Sequence, residues 1–336
     1  MNKKWALLIV LAISAPLCSI FFGAATLPPE TLYQCVVSQC TDPIDNAILW
    51  DIRFPRVIVG FLVGAGLSVA GATLQNITRN GLADPYLFGV VAGAGLGASV
   101  ATLLFNSDLG MSWGLPSGFY TMALPGSALI GAIFAVLLVQ VLSHTTFGRR
   151  MEHMLLAGVA VSFMLSALSQ FLLFVGDPFA ANQVVFWLMG SLARVEGWYA
   201  GVMLVIVLVS IFILYLYGPQ LDALLLGDDN AKTLGVNVTR MRVLSLLVCA
   251  VLTAAIVAYC GGIGFVGLMI PHIIRHWLGV TSRILFLGSA LLGGCFMVWV
   301  DVFARSAFTG REIPIGIITS AIGSVFFLLA MRQRQS

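Results

Sequence analysis

The stretch VIVGFLVGAGLSVAGATLQNIT, from Val57 to Thr78, runs for 22 residues without Asp, Glu, Lys or Arg. A helix needs about 20 apolar residues to cross the hydrocarbon core of a bilayer, so this stretch reads as a transmembrane helix. Within it Gly60, Gly64, Ser68 and Ala72 recur every four residues. Small residues at that spacing form a ridge on which a second backbone comes close, which is how helices associate in lipid. The following apolar stretch repeats the device with Gly89, Gly93, Gly97 and Ala101. Both rows are expected to pack helices rather than to do chemistry.

Working outward, runs free of charge occupy 5–29, 57–78, 85–107, 109–148, 154–176, 197–221, 243–274, 284–300 and 313–331. The run 243–274 spans 32 residues and is interrupted by Gly261-Gly262-Ile263-Gly264, so two helices are expected there. The run 109–148 opens on a Gly/Ser/Pro-rich stretch to about Gly118 and is expected to hold one helix. The first run follows Met-Asn-Lys-Lys but exceeds the 7–15-residue apolar core of a signal peptide, so it reads as the first membrane helix. The charge-free stretch 178–193 is 16 residues long, too short to cross, and reads as interfacial or re-entrant. The expected fold class is an all-α integral membrane protein with about ten transmembrane helices in a single domain, residues 1–336.

Composition agrees. Of 336 residues, 60% are hydrophobic and only 17 basic and 14 acidic residues are present. Mean hydropathy is +1.01. That charge cannot cover a soluble surface, which excludes a soluble enzyme and a disordered chain. A net charge of +3 excludes a nucleic-acid partner and leaves membrane lipid as the surroundings. With the N-terminus inside, Lys3, Lys4, Arg79, Arg149, Arg150, Lys232, Arg240, Arg242, Arg275, Arg283, Arg332 and Arg334 fall on the cytoplasmic side. Arg53, Arg56, Arg194, Arg305 and Arg311 fall outside. The excess of cytoplasmic Lys and Arg sets the orientation and puts both termini in the cytoplasm.

Catalytic signals are missing. The chain has no Gly-x-x-x-x-Gly-Lys-Ser/Thr phosphate loop, no Gly-x-Ser-x-Gly elbow and no His-Glu-x-x-His. No cofactor or metal is expected in it. His272 and His276 stand at i and i+4, but no carboxylate or cysteine nearby completes a site. Acidic residues near the spans, such as Asp301 and Glu312, lie at their ends, which argues against a proton or sodium relay within this chain, so the free energy for any transport would come from elsewhere. Cys18, Cys249, Cys260 and Cys295 lie in spans and read as small apolar residues. Cys35 and Cys40 lie in an external loop, where their spacing permits a disulfide without requiring one. A row of Gly158, Ser162, Ser166 and Gln170 is either packing or the lining of a wet pathway.

Between the sixth and seventh spans lies the longest polar cytoplasmic loop, 219–237, which reads as two short helical stretches around Gly227. Asp228 and Asp229 suit the start of the second. An exposed, partly apolar double helix invites a partner protein.

Several blocks then give the sequence a familiar look. They are Arg53-Phe54-Pro55-Arg56, Gly64 to Ala72, Asn80-Gly81-Leu82-Ala83-Asp84-Pro85, Leu226-Gly227 to Leu234-Gly235-Val236, Gly262 to Arg275 with its Pro271-His272-Ile273-Ile274-Arg275, Asp301 to Arg305, and Glu312-Ile313-Pro314-Ile315-Gly316. In this order they resemble the permeases of type II, binding-protein-dependent ABC importers for ferric siderophores, haem and cobalamin. One departure is Gly81, where the family usually has proline. The resemblance implies a ten-helix permease of the bacterial inner membrane. It implies a dimer with a second copy or a sister permease, two ATPase subunits that bind ATP and Mg, and a periplasmic binding protein. Import would proceed by alternating access, with cargo expected in the order ferric siderophore, haem, cobalamin. The alternative is an ATPase-independent secondary transporter or channel. By resemblance, Arg53, Arg56 and Arg305 dock the binding protein on an outer rim. Leu226, Gly227, Asp228, Asp229, Ala231, Leu234 and Gly235 couple to the ATPase. Asn80 and Leu82 lie at a cytoplasmic gate, and Gly158, Ser162, Ser166 and Gln170 line the path.

Overall fold

The structure, a computed structural model, describes residues 3–23, 28–37, 40, 42–105, 117–145, 151–193, 197–308 and 310–333. Arg149, Arg150, Arg194 and Arg334, used above to orient the chain, lie outside the described residues. Among the described residues every regular element is helical. In order they are α1 (Lys3–Ser19), α2 (Pro29–Val36), α3 (Pro43–Thr78, with a π-helical stretch at Ile48–Arg53), α4 (Val90–Phe105), α5 (Ser117–Thr145), α6 (Met151–Val175) and α7 (Pro178–Leu188). Then follow α8 (Gly197–Leu216), α9 (Gly218–Leu225), α10 (Asp228–Thr233), α11 (Val238–Cys260), α12 (Val266–Trp277), α13 (Ser282–Ser306) and α14 (Ile315–Gln333).

Each charge-free run carries a helix. Six described helices are long and apolar enough to cross a membrane: α3, α5, α6, α8, α11 and α13. Helices α4 and α14 are shorter apolar ones, and α1 has 17 residues. The run 243–274 divides at the expected glycines, but its second half, α12, has only 12 residues, about half of what a crossing needs. The stretch 178–193 holds the 11-residue α7, started by Asp177, whose side chain accepts from the backbone N–H groups of Phe179 and Ala180.

Helix α3 is the centre. In its apolar window 89% of the residues are buried inside the protein, against 22% for α6. It packs on α13, α12, α11 and α8, while α4, α5 and α6 form a second group joined through α5 to α11. The reason is the glycine ridge. A methyl placed on Gly64 would stand 2.0 Å from the carbonyl oxygen of Gly293 in α13, and one on Gly71 would stand 1.9 Å from that of Gly267 in α12. The second row works alike: methyls on Gly93 and Gly97 would meet the backbone oxygens of Gly131 and Ser127 in α5 at 2.3 and 2.0 Å. Of the expected rows, Gly64, Gly93 and Gly97 sit at backbone crossings, joined by Gly71 beside the first row, while Gly60 and Gly89 meet side chains.

Three helix ends meet inside the bundle. Chain ends in an apolar medium leave backbone groups that no water satisfies, and here they satisfy one another. The N–H of Ser191 donates to Cys260 O (2.9 Å), that of Gly262 to Leu188 O (3.2 Å), and those of Ile315 and Gly316 to Gly190 O and Met189 O (both 3.0 Å). Gly190 and Gly261 take φ of +82° and +71°, a region open to glycine at little cost.

The crossings have no slack, so Gly71→Ala is expected to lower thermal stability in detergent by about 1–3 kcal/mol or more. Gly201→Ala in α8, with open space around the added methyl, is expected to leave it unchanged. Equal melting of the two variants would show that α3 and α12 are not in backbone contact.

Candidate functional site

Polar side chains gather at the two ends of the α-helical part of α3, Phe54–Thr78. At its start lie Arg53 and Arg56, and the fold brings Asp301 and Arg305 of α13 and Glu312 beside them. Arg56 bonds Glu312 fork to fork (Nη1–Oε1 and Nη2–Oε2, both 2.9 Å), and its Nε donates to Asp301 (2.9 Å to Oδ1, 3.1 Å to Oδ2). Nε of Arg305 stands 3.3 Å from Asp301 Oδ2. Arg53 and Arg305 also donate to the carbonyls of Ile20 (2.6 Å) and Ser19 (2.9 Å) at the end of α1.

This corrects one expectation. Arg53, Arg56 and Arg305 are 2%, 7% and 4% exposed, so they are not three open cations on a rim. Asp301 and Glu312, 245 and 256 residues away, neutralise Arg56, and Asp301 also faces Arg305 one helical turn on, because an unpaired buried charge is too costly to persist. Asp301 also lies inside α13 rather than beyond its end. Glu312 is the solvent-facing member, its side chain 40% exposed, and it borders a cavity of about 190 Å³ lined also by Phe186, Trp187 and Tyr259.

At the other end of α3 the expected double helix is present as α9 and α10, hinged at Gly227 with φ +111°. Arg79, the left-handed residue that caps the end of α3 (φ +52°), donates Nε to Leu224 O (2.8 Å) and pairs with Asp228. Arg242 of α11 joins the same carboxylate at 2.8 Å. Burial works against the Asp228 carboxylate, but Arg242 and Arg79 hold it below its ordinary range. Ala231 is buried, Asp229 pairs with Lys232 at the surface (3.1 Å), Gly235 takes φ +82°, and Leu226 and Leu234 are 62% and 63% exposed.

Beyond Arg79, the side chain of Asn80 accepts from Leu82 N (3.0 Å) and closes a turn with Leu82 exposed. Asp84 then caps the short 3-10 helix Pro85–Phe88 through Tyr86 N (2.9 Å). Burial pushes the Asp84 carboxyl up to about 6. This turn is where Gly158 sits: a methyl on Gly158 would be 2.1 Å from Leu87 O. Ser162 donates to Gly158 O (2.7 Å), Ser166 is half-buried and Gln170 exposed. The expected pathway row is thus a seat for the turn at one end and open at the other. Cys35 and Cys40 are joined in a disulfide. Nδ1 of His276 lies 2.9 Å from His272 O, a contact within α12.

Residues 7–333 match the FecCD transport family. The chain belongs to that family. Among proteins similar to this FecCD chain, the vitamin B12 import system permease of Vibrio cholerae is 35% identical over 97% of the chain and 94% of its own length. The hemin transport system permease of Yersinia pestis is 34% identical over 98% and 95%. A solved structure described as a metal-chelate type ABC transporter in an inward-facing conformation superposes with a TM-score of 0.85 at 30% identity, covering 99% of this chain and all of that one. The FecCD chain is therefore a multi-pass permease of the ABC-importer kind.

Residues that the sequence did not connect are the partners of its arginines. Asp301 and Glu312 face Arg56, and Gln75 and Asn76 face Arg275, from distant blocks that no local pattern pairs; only Asp301 with Arg305 is a local, i,i+4 pair.

Two outcomes follow for this FecCD permease. Arg56→Met leaves Asp301 and Glu312 without their shared cation and is expected to destabilise the protein by about 3–5 kcal/mol, read as a lower melting temperature. An unchanged value would mean that water already solvates the cluster. Asp84 has a folded pKa of about 6 against an ordinary 3.8. Its raised pKa favours the neutral acid, so its share of stability, on the order of 2–3 kcal/mol, is present below about pH 4 and lost as pH rises through 6. Asp84→Asn keeps the cap and is expected to reduce the difference in melting temperature between pH 5 and pH 8; an undiminished difference would remove Asp84 as its source.

Proposed function

We propose that this chain is the membrane permease of an ATP-driven importer. It takes cargo from a binding protein at the Arg56 end and releases it at the Arg79 end by alternating access. The observation that carries the reading is the α9–α10 handle. It exposes Leu226 and Leu234 on a segment that Asp228 ties to the end of the most buried helix. Large apolar side chains held out on an ordered segment mark a surface made for a partner. The partner we propose is an ATPase subunit, one for each of two permeases, whether two copies of this chain or this chain and a sister. ATP and Mg would be held there.

Orientation is argued from charge. Arg79, Lys232, Arg242, Arg275 and Arg283 share the α9–α10 end, and Lys4 reaches it through Trp277 O (2.7 Å). That end is proposed to face the cytoplasm of a bacterium, with both termini, in a ten-helix arrangement in the inner membrane. The opposite end would receive the binding protein. Within the charge cluster there, Glu312 is the member open enough to meet it, while Arg53, Arg56 and Arg305 hold the face in shape.

The relatives named for vitamin B12 and hemin are similar to the chain at 35% and 34%, which does not rank siderophore, haem and cobalamin. The cargo proposed is their shared chemistry, a metal chelate. A secondary transporter or channel would have no use for the exposed handle.

The test is charge at the handle. Leu234→Glu is expected to leave membrane insertion intact while transport and co-purification with the ATPase subunit fall by about tenfold or more, the loss typical of an interface anchor. Leu234 serves better than Gly227, whose positive φ makes any replacement a backbone change. Normal assembly and transport in Leu234→Glu would make α9–α10 a plain connection.

A further inference from the structure

A second polar line starts from the same handle and runs into the bundle. Asp222 on α9 accepts from both the backbone N–H (2.8 Å) and the hydroxyl (2.6 Å) of Ser282, the first residue of α13. The hydroxyl in turn accepts from Asn76 Nδ2 near the end of α3 (2.9 Å). Asn76 Oδ1 accepts from Arg275 Nη2 in the last turn of α12 (2.9 Å). The other arm of that guanidinium bonds Gln75 Oε1, and Gln75 Nε2 donates to Gly267 O (3.1 Å), beside the Gly71 crossing.

Along Arg275–Asn76–Ser282–Asp222 every donor points the same way, from the cation of Arg275 to the anion of Asp222. Ser282 has one hydroxyl proton and spends it on Asp222, which obliges Asn76 to present its amide nitrogen and leaves its oxygen for Arg275. Bonds ordered in this way strengthen one another in a medium of low dielectric. Asn76, Gln75 and Ser282 are at most 2% exposed, so water does not replace a broken link. Asp222 also supplies what Thr281 does not: no side chain of its own segment caps α13, and the carboxylate sits at that helix's positive end.

We propose that Asp222–Ser282–Asn76–Arg275 is the link through which displacement of α9 reaches the membrane core, moving α3, α12 and α13 together. The proposal rests on the reading of α9–α10 as the ATPase contact. It assigns positioning roles to Ser282 and Asn76, which touch neither ATPase nor cargo. Spatial continuity alone does not establish coupling, so the measurement has to be a cycle of variants.

The complete complex of permease, ATPase and binding protein is reconstituted in lipid nanodiscs, with Leu82→Cys as a reporter in a background lacking Cys18. The rate of maleimide labelling is compared with and without Mg-ATP and vanadate. ATP is expected to change the rate by about fivefold or more. Ser282→Ala is expected to abolish that change while the ATPase subunit still co-purifies and basal hydrolysis is kept. Asn76→Asp, similar in size, sets two carboxylates against one hydroxyl proton and is expected to do the same. Combining the two should cost no more than either alone. A wild-type response in either variant, or losses that multiply in the double variant, would overturn the link. If Ser282→Ala fails to assemble, Asn76→Asp alone decides. Should the ATPase not co-purify even with the wild-type chain, the handle reading fails first and the link with it.

Discussion

Helix α3 has to reach two other backbones closely enough that a single methyl would not fit. In lipid there is no hydrophobic force to press helices together, so dispersion contacts and interhelical hydrogen bonds hold a bundle, and both depend on close approach. Gly64 against Gly293 and Gly71 against Gly267 provide that approach two turns apart along one face of the helix. The rest of the architecture is arranged around it. α13 and α12 are fixed to α3 at defined heights, and the broken ends near Gly190, Gly261 and Gly316 interlock through backbone hydrogen bonds.

The same helix carries the polar machinery at both of its ends. Arg56 at one end is held between Asp301 and Glu312. Gln75, Asn76 and Arg79 at the other end reach α12, α13, α9 and the Asp228 carboxylate. A rigid rod with a charged cluster at one end and a hydrogen-bonded handle at the other suits a FecCD permease, in which events on opposite faces of a membrane must be kept in step. Interlocked backbones favour movement as a body, because sliding would drive carbonyl oxygens into glycine Cα atoms.

Much of this was legible in the sequence because the responsible signals are local. A charge-free run, a four-residue glycine period and the break at Gly261–Gly264 each depend on a short window, and each appears where the window placed it. The double helix around Gly227 was legible for the same reason. Charge pairing was not. Arg56 reads as an exposed terminal cation until Asp301 and Glu312 arrive from more than 240 residues away. The row Gly158 to Gln170 looks uniform in sequence, yet the Pro85–Phe88 turn lands on its first residue alone. Asp222 and Ser282 carried no signal, since a serine beginning a helix and an aspartate in a short one are commonplace. The family likeness supplied the partners and the cargo class, which no residue pattern contains.

The central claim is that α3 and α13 move as one body during the transport cycle. The most direct measurement is the distance between spin labels at positions 54 of α3 and 303 of α13, both exposed, in a bilayer with and without ATP in the assembled complex. The account predicts one distance distribution that does not change between the two states. A shift approaching a helical turn, about 5 Å, would contradict it and show that the glycine crossings slip as the transporter works.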